Sequence, residues 1–348
     1  MTEGAQFMSS TRNAIEARGL VKTYPSRGEP EGIRALDGLD ITVPRGTVFG
    51  LLGPNGAGKS TAAKILTTLA RPDDGTATVA GIDVLRRPHR VRHAIGVVAQ
   101  RSGSDPMATG RENLVLQGRL YGLGASARTR ADELLDRFDL MDAAGRLVKT
   151  YSGGMQRRLD VALGLMHRPQ VLFLDEPTTG LDPEARTAMW REIARLAGDE
   201  GLTVLLTTHY LEEADRLAGS LAIVDRGRVV AEGTPDDLKG GLNGDAVHLE
   251  LAGDGDPETA RGVLAALPGV RDVLVAGRSV SAHSDDGAAA APGILAALER
   301  AGAPAASVTV ARPSLDDVYL RHTGRRYSET ETPAPAAGAT NDLQKASR

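Results

Sequence analysis

Cysteine is absent from the 348 residues, which excludes disulfide frameworks, thiolate metal sites and cysteine nucleophiles, and removes the usual markers of an oxidising compartment. Long apolar runs are missing too. Uninterrupted apolar runs such as Val171 to Leu174 are strand-sized and far short of the ~18 residues that a membrane span needs. The first residues include Thr2, Glu3, Gln6, Ser9 and Ser10, so the basic-then-apolar pattern of a secretory signal does not appear and a cytoplasmic location is expected. No basic excess exists either: the formal net charge is -4, which argues against nucleic acid as a partner. Lysine is scarce, at six of 41 basic residues, while Ala and Gly are abundant; this bias fits a GC-rich genome and carries no mechanism.

What is present is an ordinary globular composition, 41% apolar and 25% charged, in a chain long enough for two domains that each bury a core. Residues 1–13 lack apolar periodicity, and residues 326–348 are rich in Thr, Pro, Ala and Glu, so both ends are expected to be disordered. Over 14–240, short β-rich runs (Val48 to Leu52, Ile95 to Val98, Val171 to Leu174, Val204 to Thr207) alternate with helical segments, the pattern of parallel strands covered by helices. Two insertions interrupt it. One is a set of β-like segments before Val48; the other, a helical subdomain over about 110–168, has Leu134, Leu135, Phe138 and Leu140 at helical spacing. Glycines at 240, 241 and 244 mark a hinge. Over 245–325 the order βαββαβ then suggests a small α+β, ferredoxin-like domain.

Gly53-Pro54-Asn55-Gly56-Ala57-Gly58-Lys59-Ser60 matches the phosphate-binding pattern G-x-x-x-x-G-K-[ST], and it lies between an apolar run and a helical one that opens at Thr61. Glycines let backbone N–H groups turn inward around phosphate oxygens, and the helix N-terminus adds partial positive charge. Lys59 is placed to neutralise the β and γ phosphates, Ser60 to hold Mg²⁺ through its hydroxyl, and Thr61 to extend the nucleotide contacts. Val171 to Leu174 ends in Asp175 and Glu176, and a buried strand delivers such residues to the sheet rim where α/β folds bind ligands. Asp175 is then suited to Mg²⁺ and Glu176 to polarising a water as general base. Taken alone, an acidic pair after a strand is equally a solvated turn; beside the phosphate loop it points to triphosphate hydrolysis.

Between these elements stands Tyr151-Ser152-Gly153-Gly154-Met155-Gln156, which resembles the signature sequence of the ABC ATPases. In that family the Ser152 and glycine amides bind the γ phosphate of ATP held by the other subunit, so the resemblance implies a homodimer with two ATP molecules between its subunits. Ser152 is also an ordinary helix-capping residue. Further residues follow the same pattern. Tyr24 resembles the aromatic that stacks on adenine, although a tyrosine near a strand end is unremarkable. Gln100 resembles the residue that contacts Mg²⁺ and the attacking water while its loop touches the membrane subunit, and is otherwise an exposed loop glutamine. Asp182, in Gly180-Leu181-Asp182-Pro183, resembles the loop joining the two ATP sites, and Asp before Pro is also a helix-start signal. His209 resembles the histidine that reaches the γ phosphate and orients the water.

Two departures from the pattern, Tyr151 for the commoner leucine and Met155 where many members have glutamine, leave the phosphate-binding amides in place, so hydrolysis is expected. The resemblance covers about 14–240 and implies an α/β P-loop NTPase of the ABC ATPase kind, with antiparallel β and helical subdomains. Leu205 to Asp215 (LLTTHYLEEAD) and Pro313 to Leu320 (PSLDDVYL) are similar to the ATP-binding subunits of daunorubicin-resistance exporters. That similarity implies ATP and Mg²⁺ as cofactors, a separate integral-membrane permease, a place at the cytoplasmic face of the membrane, and efflux of a hydrophobic drug through the permease. The alternatives are a non-transport ABC ATPase, which generally carries two cassettes or a long coiled coil, and a cytosolic drug-binding resistance protein regulated by ATP.

Overall fold

The computed structural model describes residues 12–26, 29–253 and 255–327; the terminal stretches expected to be disordered fall almost wholly outside them. The chain divides into two compact units between Asn243 and Gly244.

The first unit is built on a six-stranded sheet of order β10-β9-β3-β8-β7-β6. Its strands are β3 (Val48–Leu52), β6 (Ile95–Val98), β7 (Val171–Asp175), β8 (Thr203–Thr208), β9 (Ser220–Asp225) and β10 (Arg228–Gly233). All neighbours pair in parallel except β9 and β10, an antiparallel hairpin. β3 and β8 are buried throughout because both faces of the sheet are covered, which is why these strands read as continuous apolar runs. Alternate side chains enter opposite cores. Val171, Phe173 and Leu205 join one cluster, whereas Leu172, Leu174, Val204 and Leu206 join the other.

The first cluster is closed by an antiparallel sheet of order β2-β1-β4-β5, from β1 (Asn13–Ser26), β2 (Glu29–Pro44), β4 (Asp74–Val79) and β5 (Ile82–Asp83), together with α1 (Lys59–Leu66) and α2 (Pro88–Ala94). The second is closed by α3 (Gly110–Leu120), α4 (Ser126–Arg137), α5 (Gly153–Leu165) and α6 (Pro183–Gly198). Thr109 opens α3 with a capping box to Glu112, which satisfies two of the helix's unpaired amides. The first unit also holds α7 (Leu211–Leu217) and α8 (Pro235–Gly240).

The second unit runs β11 (Asp245–Leu251), α9 (Pro257–Ala265), β12 (Val270–Ala276), β13 (Ser279–Ser284), α10 (Gly287–Arg300), β14 (Ala305–Ala311) and α11 (Leu315–Thr323). Its sheet has the order β12-β13-β11-β14, with every neighbouring pair antiparallel. This is the interleaved βαββαβ arrangement of a ferredoxin-like fold. α10 begins at Gly287, seven residues before the Ile294 at which the apolar pattern begins, because Asp286 caps its start and a run of alanines extends it ahead of the first large side chain. Arg326 and Tyr327, placed in the disordered tail by composition, belong to the folded unit. Arg326 donates to Ser281 Oγ, and Tyr327 is buried edge-on against Tyr319 with its N–H on Asp316.

Candidate functional site

Four loops meet beyond the C-terminal ends of β3, β6, β7 and β8, the rim where parallel α/β sheets gather their chemistry. After β3 the chain turns through Gly53–Gly58 into α1. Gly56 and Gly58 have φ of 80° and 111°, conformations that L side chains avoid. Gly58 is fixed sterically as well: a Cβ there would lie 2.5 Å from Ala35 O and 2.9 Å from Leu36 Cδ2. Behind the loop, the β9–β10 turn supplies a donor, Gly227 N–H to Ala57 O at 2.8 Å. Lys59, 4% exposed, donates through Nζ to the carbonyls of Gly53 and Pro54, so its ammonium is held across the loop whose amides line the cradle. Ser60 and Asn55 are exposed at the mouth.

The oxygen of Ser60 lies 3.5 Å from Asp175 Oδ1, which also accepts from Thr207 Oγ1 at 2.5 Å. These are hard oxygen donors with the spacing of an incomplete site, as suits Mg²⁺, which keeps several waters and takes its other ligands from substrate phosphates. Among the described residues no group of three or more His, Cys, Asp or Glu side chains is arranged to hold a metal.

Glu176 follows at the strand end with φ 46°, a left-handed conformation that costs a non-glycine residue about 1–3 kcal/mol and persists only where neighbours enforce it. Its N–H donates to Thr207 O at 3.1 Å. One carboxylate oxygen accepts from Gln100 Nε2 at 2.9 Å, and the other lies 3.0 Å from His209 Nδ1. The hydrogen bond from His209 lowers the pKa of Glu176 and outweighs the opposing effect of burial, with the Lys59 charge helping. The result is an ionised carboxylate gripped by two side chains from neighbouring strand ends, an arrangement that can align a water and take its proton.

The remaining residues singled out from the sequence sit apart from this cluster. Tyr24 is 36% exposed on β1, with Lys22 Nζ 5.6 Å from its ring centre. Ser152 caps α5, its oxygen accepting from Met155 N–H, while Ser152 and Gly153 face solvent. Asp182 likewise caps α6 by accepting from Ala185 N–H at 2.8 Å. Both capping readings therefore hold, and the Ser152 cap uses the amide of Met155, not those of residues 152–154. The structure adds residues to which the sequence assigned no individual role. Thr207 bridges to Asp175. Arg157, 7% exposed, donates to backbone carbonyls on two of the site loops. Glu213, fully buried, accepts from Thr178 Oγ1 and Trp190 Nε1.

The chain matches two family models: ABC transporter over residues 36–179, and the C-terminal domain of DrrA1-3-like ATP-binding proteins over residues 233–323. It is 50% identical to the daunorubicin resistance ATP-binding protein DrrA3 of Streptomyces coeruleorubidus, across 91% of this chain and 98% of that protein. It is 44% identical to the doxorubicin resistance ATP-binding protein DrrA of Mycobacterium tuberculosis (89% and 93%), and 40% identical to the Nod factor export ATP-binding protein I of Ralstonia nicotianae (90% and 95%). Among solved structures it resembles an ATP-binding cassette captured as a dimer in a post-hydrolysis state with ADP and Pi, at TM-score 0.58 and 27% identity over 63% of this chain and 98% of that one.

Proposed function

The chain belongs to the ABC transporter ATP-binding family, among the DrrA-type drug-resistance proteins, and from that membership we propose that it drives export of a hydrophobic drug by binding and hydrolysing Mg-ATP beneath a separate permease. The observation that carries the catalytic part is the Glu176 carboxylate held between Gln100 and His209, beside a phosphate cradle closed by Lys59. In this reading Tyr24 stacks on adenine, and residues 53–61 bind the phosphates. Ser60 and Asp175, with Gln100 beside them, would hold Mg²⁺, which would supply positive charge to the phosphates. Lys59 and the loop amides offset charge on the transferring group, which is where preorganised sites gain most of their rate. Glu176 takes the proton of a water that Gln100 and His209 orient.

Two such chains would close face to face, Ser152–Gly154 of each capping the nucleotide of the other while Asp182 joins the two sites. Phosphate at a helix N-terminus meets unpaired amides and the positive end of the dipole. The permease is assigned to the Gln100 side, where Val97, Met107, Leu116 and Leu120 are exposed large hydrophobics. No helix of the described residues is long and apolar enough to cross a membrane, and the reading gives the pathway for the drug to the permease. Naming of the relatives as resistance and export proteins favours this over a non-transport ATPase or a drug-sequestering protein.

The test is direct. Glu176→Gln should retain Mg-ATP binding and lose about 10²–10⁴-fold in turnover, and Lys59→Ala should abolish tight ATP binding measured by titration calorimetry. Turnover by Glu176→Gln near that of the parent would remove the general base from this carboxylate.

A further inference from the structure

Arg157 lies on α5, one and a half turns beyond Ser152, and its guanidinium is turned inward. It donates from Nε to Pro177 O (2.8 Å), from Nη1 to Ala99 O (2.6 Å), and from Nη2 to Asp175 O (2.9 Å) and Glu176 O (3.2 Å). Three of these carbonyls are consecutive. In an extended strand successive carbonyls point alternately to either side, so three cannot converge on one group; the left-handed turn at Glu176 (φ 46°) breaks that alternation. The fourth carbonyl immediately precedes Gln100. One planar fork with five donors thus holds the backbone of both the carboxylate and the glutamine that grips it.

Neighbouring contacts reinforce the same two loops. Asp160, one turn further along α5 and buried, accepts from Ser102 Oγ at 2.7 Å, so α5 grasps residues on either side of Gln100. Beyond Pro177, Thr178 Oγ1 donates to the buried Glu213 at 2.7 Å, and Glu213 also takes Trp190 Nε1. The segment from Asp175 to Thr178 is therefore fixed from α5 on one side and from α7 on the other. Burial lowers the pKa of Arg157, while the carboxylates of Asp160, Asp175, Glu213 and Glu176 oppose that shift. A buried guanidinium whose hydrogen bonds all go to backbone carbonyls is a geometric device more than a stabilising one.

We propose that Arg157 is a positioning residue that ties the helix bearing Ser152–Gly154 to the Glu176 and Gln100 of the same chain, so that seating of the helix start on one nucleotide sets the water-activating groups at the other. The inference rests on the two-chain, ATP-hydrolysing reading above. α5 is a continuous helix from Gly153 to Leu165, so displacement at its first turn is carried to Arg157 and from there to four carbonyls.

The experiment uses the full chain with Mg-ATP. Turnover is measured against ATP concentration for Arg157→Gln, Arg157→Lys, Ser152→Ala and the Ser152→Ala/Arg157→Gln pair, with ATP affinity taken in a Glu176→Gln background. Arg157→Gln is expected to lose about 10²-fold in kcat, the scale of an ångström-sized misplacement, with KM and ATP affinity within about twofold of the parent. Lysine keeps the charge but not the planar fork, so Arg157→Lys should fall short of the parent as well; it decides the matter if the glutamine variant does not fold. The paired variant should lose less than the sum of the single losses, as for groups acting in one chain of contacts. A kcat within twofold of the parent for a folded Arg157 variant, parallel loss of kcat and ATP affinity, or strict additivity with Ser152→Ala would each overturn the proposal. Failure of the unsubstituted chain to bind ATP through Lys59 would instead strike at the functional reading on which it stands.

Discussion

Glu176 combines an unfavourable backbone conformation with a favourable electrostatic setting, and the two have different sources. Its left-handed φ is maintained by hydrogen bonds to the flanking backbone, from Arg157 and to Thr207. Its lowered pKa comes first from His209. A carboxylate with a depressed pKa remains charged until pH falls through that lowered value, so the acid limb of turnover should lie below the ordinary glutamate range of about 4.3. Replacing His209 removes the principal cause. For His209→Ala the acid-side inflection is expected to move upward, and a pH profile of kcat over about pH 3 to 7 checks it; an unchanged inflection would mean another group sets the limb. Lys59, Ser60, Asp175 and Glu176 stand out in the sequence because their motifs are contiguous. Arg157, Thr207 and Glu213 do not, since an arginine, a threonine or a glutamate inside an apolar-patterned element looks the same whether it meets solvent or a buried carbonyl.

Among the elements, α11 shows how far a buried polar face departs from what periodicity reveals. It covers the second unit with Leu315, Val318, Tyr319 and Leu320 buried, and it also buries Asp317, whose carboxylate closes a capping box with Ser314. His283 on β13 is 3% exposed, with neither ring nitrogen hydrogen-bonded. Burial pulls its pKa down, and Arg321 and His248 add to this, against the opposing pull of Asp317 and Asp272. The sign follows from proton binding: as pH falls below about 6.5 the unfolded chain takes up a proton that folded His283 resists, so acidification costs stability. We expect the unfolding transition of this unit to weaken by on the order of 1 kcal/mol per pH unit below that point. Calorimetry at pH 7.5 and 5.5 should show the loss, and His283→Leu should flatten it; an equal pH dependence in that variant would exonerate the histidine. The sequence reading gave the order of elements in this unit and ended it before Arg326, because the aromatic contact of Tyr327 with Tyr319 lies outside any apolar pattern.

At the scale of the whole molecule the governing question is what Ser152–Gly154 face. Gly153 discriminates well, because a Cβ built there meets no atom of its own chain within 4 Å, whereas one at Gly154 would come 3.1 Å from Ala185 Cβ. Gly153→Asp should therefore fold and bind Mg-ATP as the parent does. In a Glu176→Gln background saturated with Mg-ATP, sedimentation should reveal a dimer, and adding Gly153→Asp should abolish it by setting a carboxylate against the partner's phosphate. A dimer that survives this change would place the interface elsewhere.

The amino-acid order by itself determined the class of fold and the phosphate chemistry, because a cradle, an acidic strand end and a signature segment are each short and continuous, and a local motif needs only its own spacing to be recognised. It also marked, by a change of pattern after Gly240, where a second unit was to be expected. Tertiary structure alone decided which residues hold Glu176 in a conformation it would otherwise avoid, since those partners, Arg157 and Thr207, come from two other elements and no local spacing brings them together. Burial decided the rest: whether a polar residue serves as a surface charge or an internal strut depends on what folds over it.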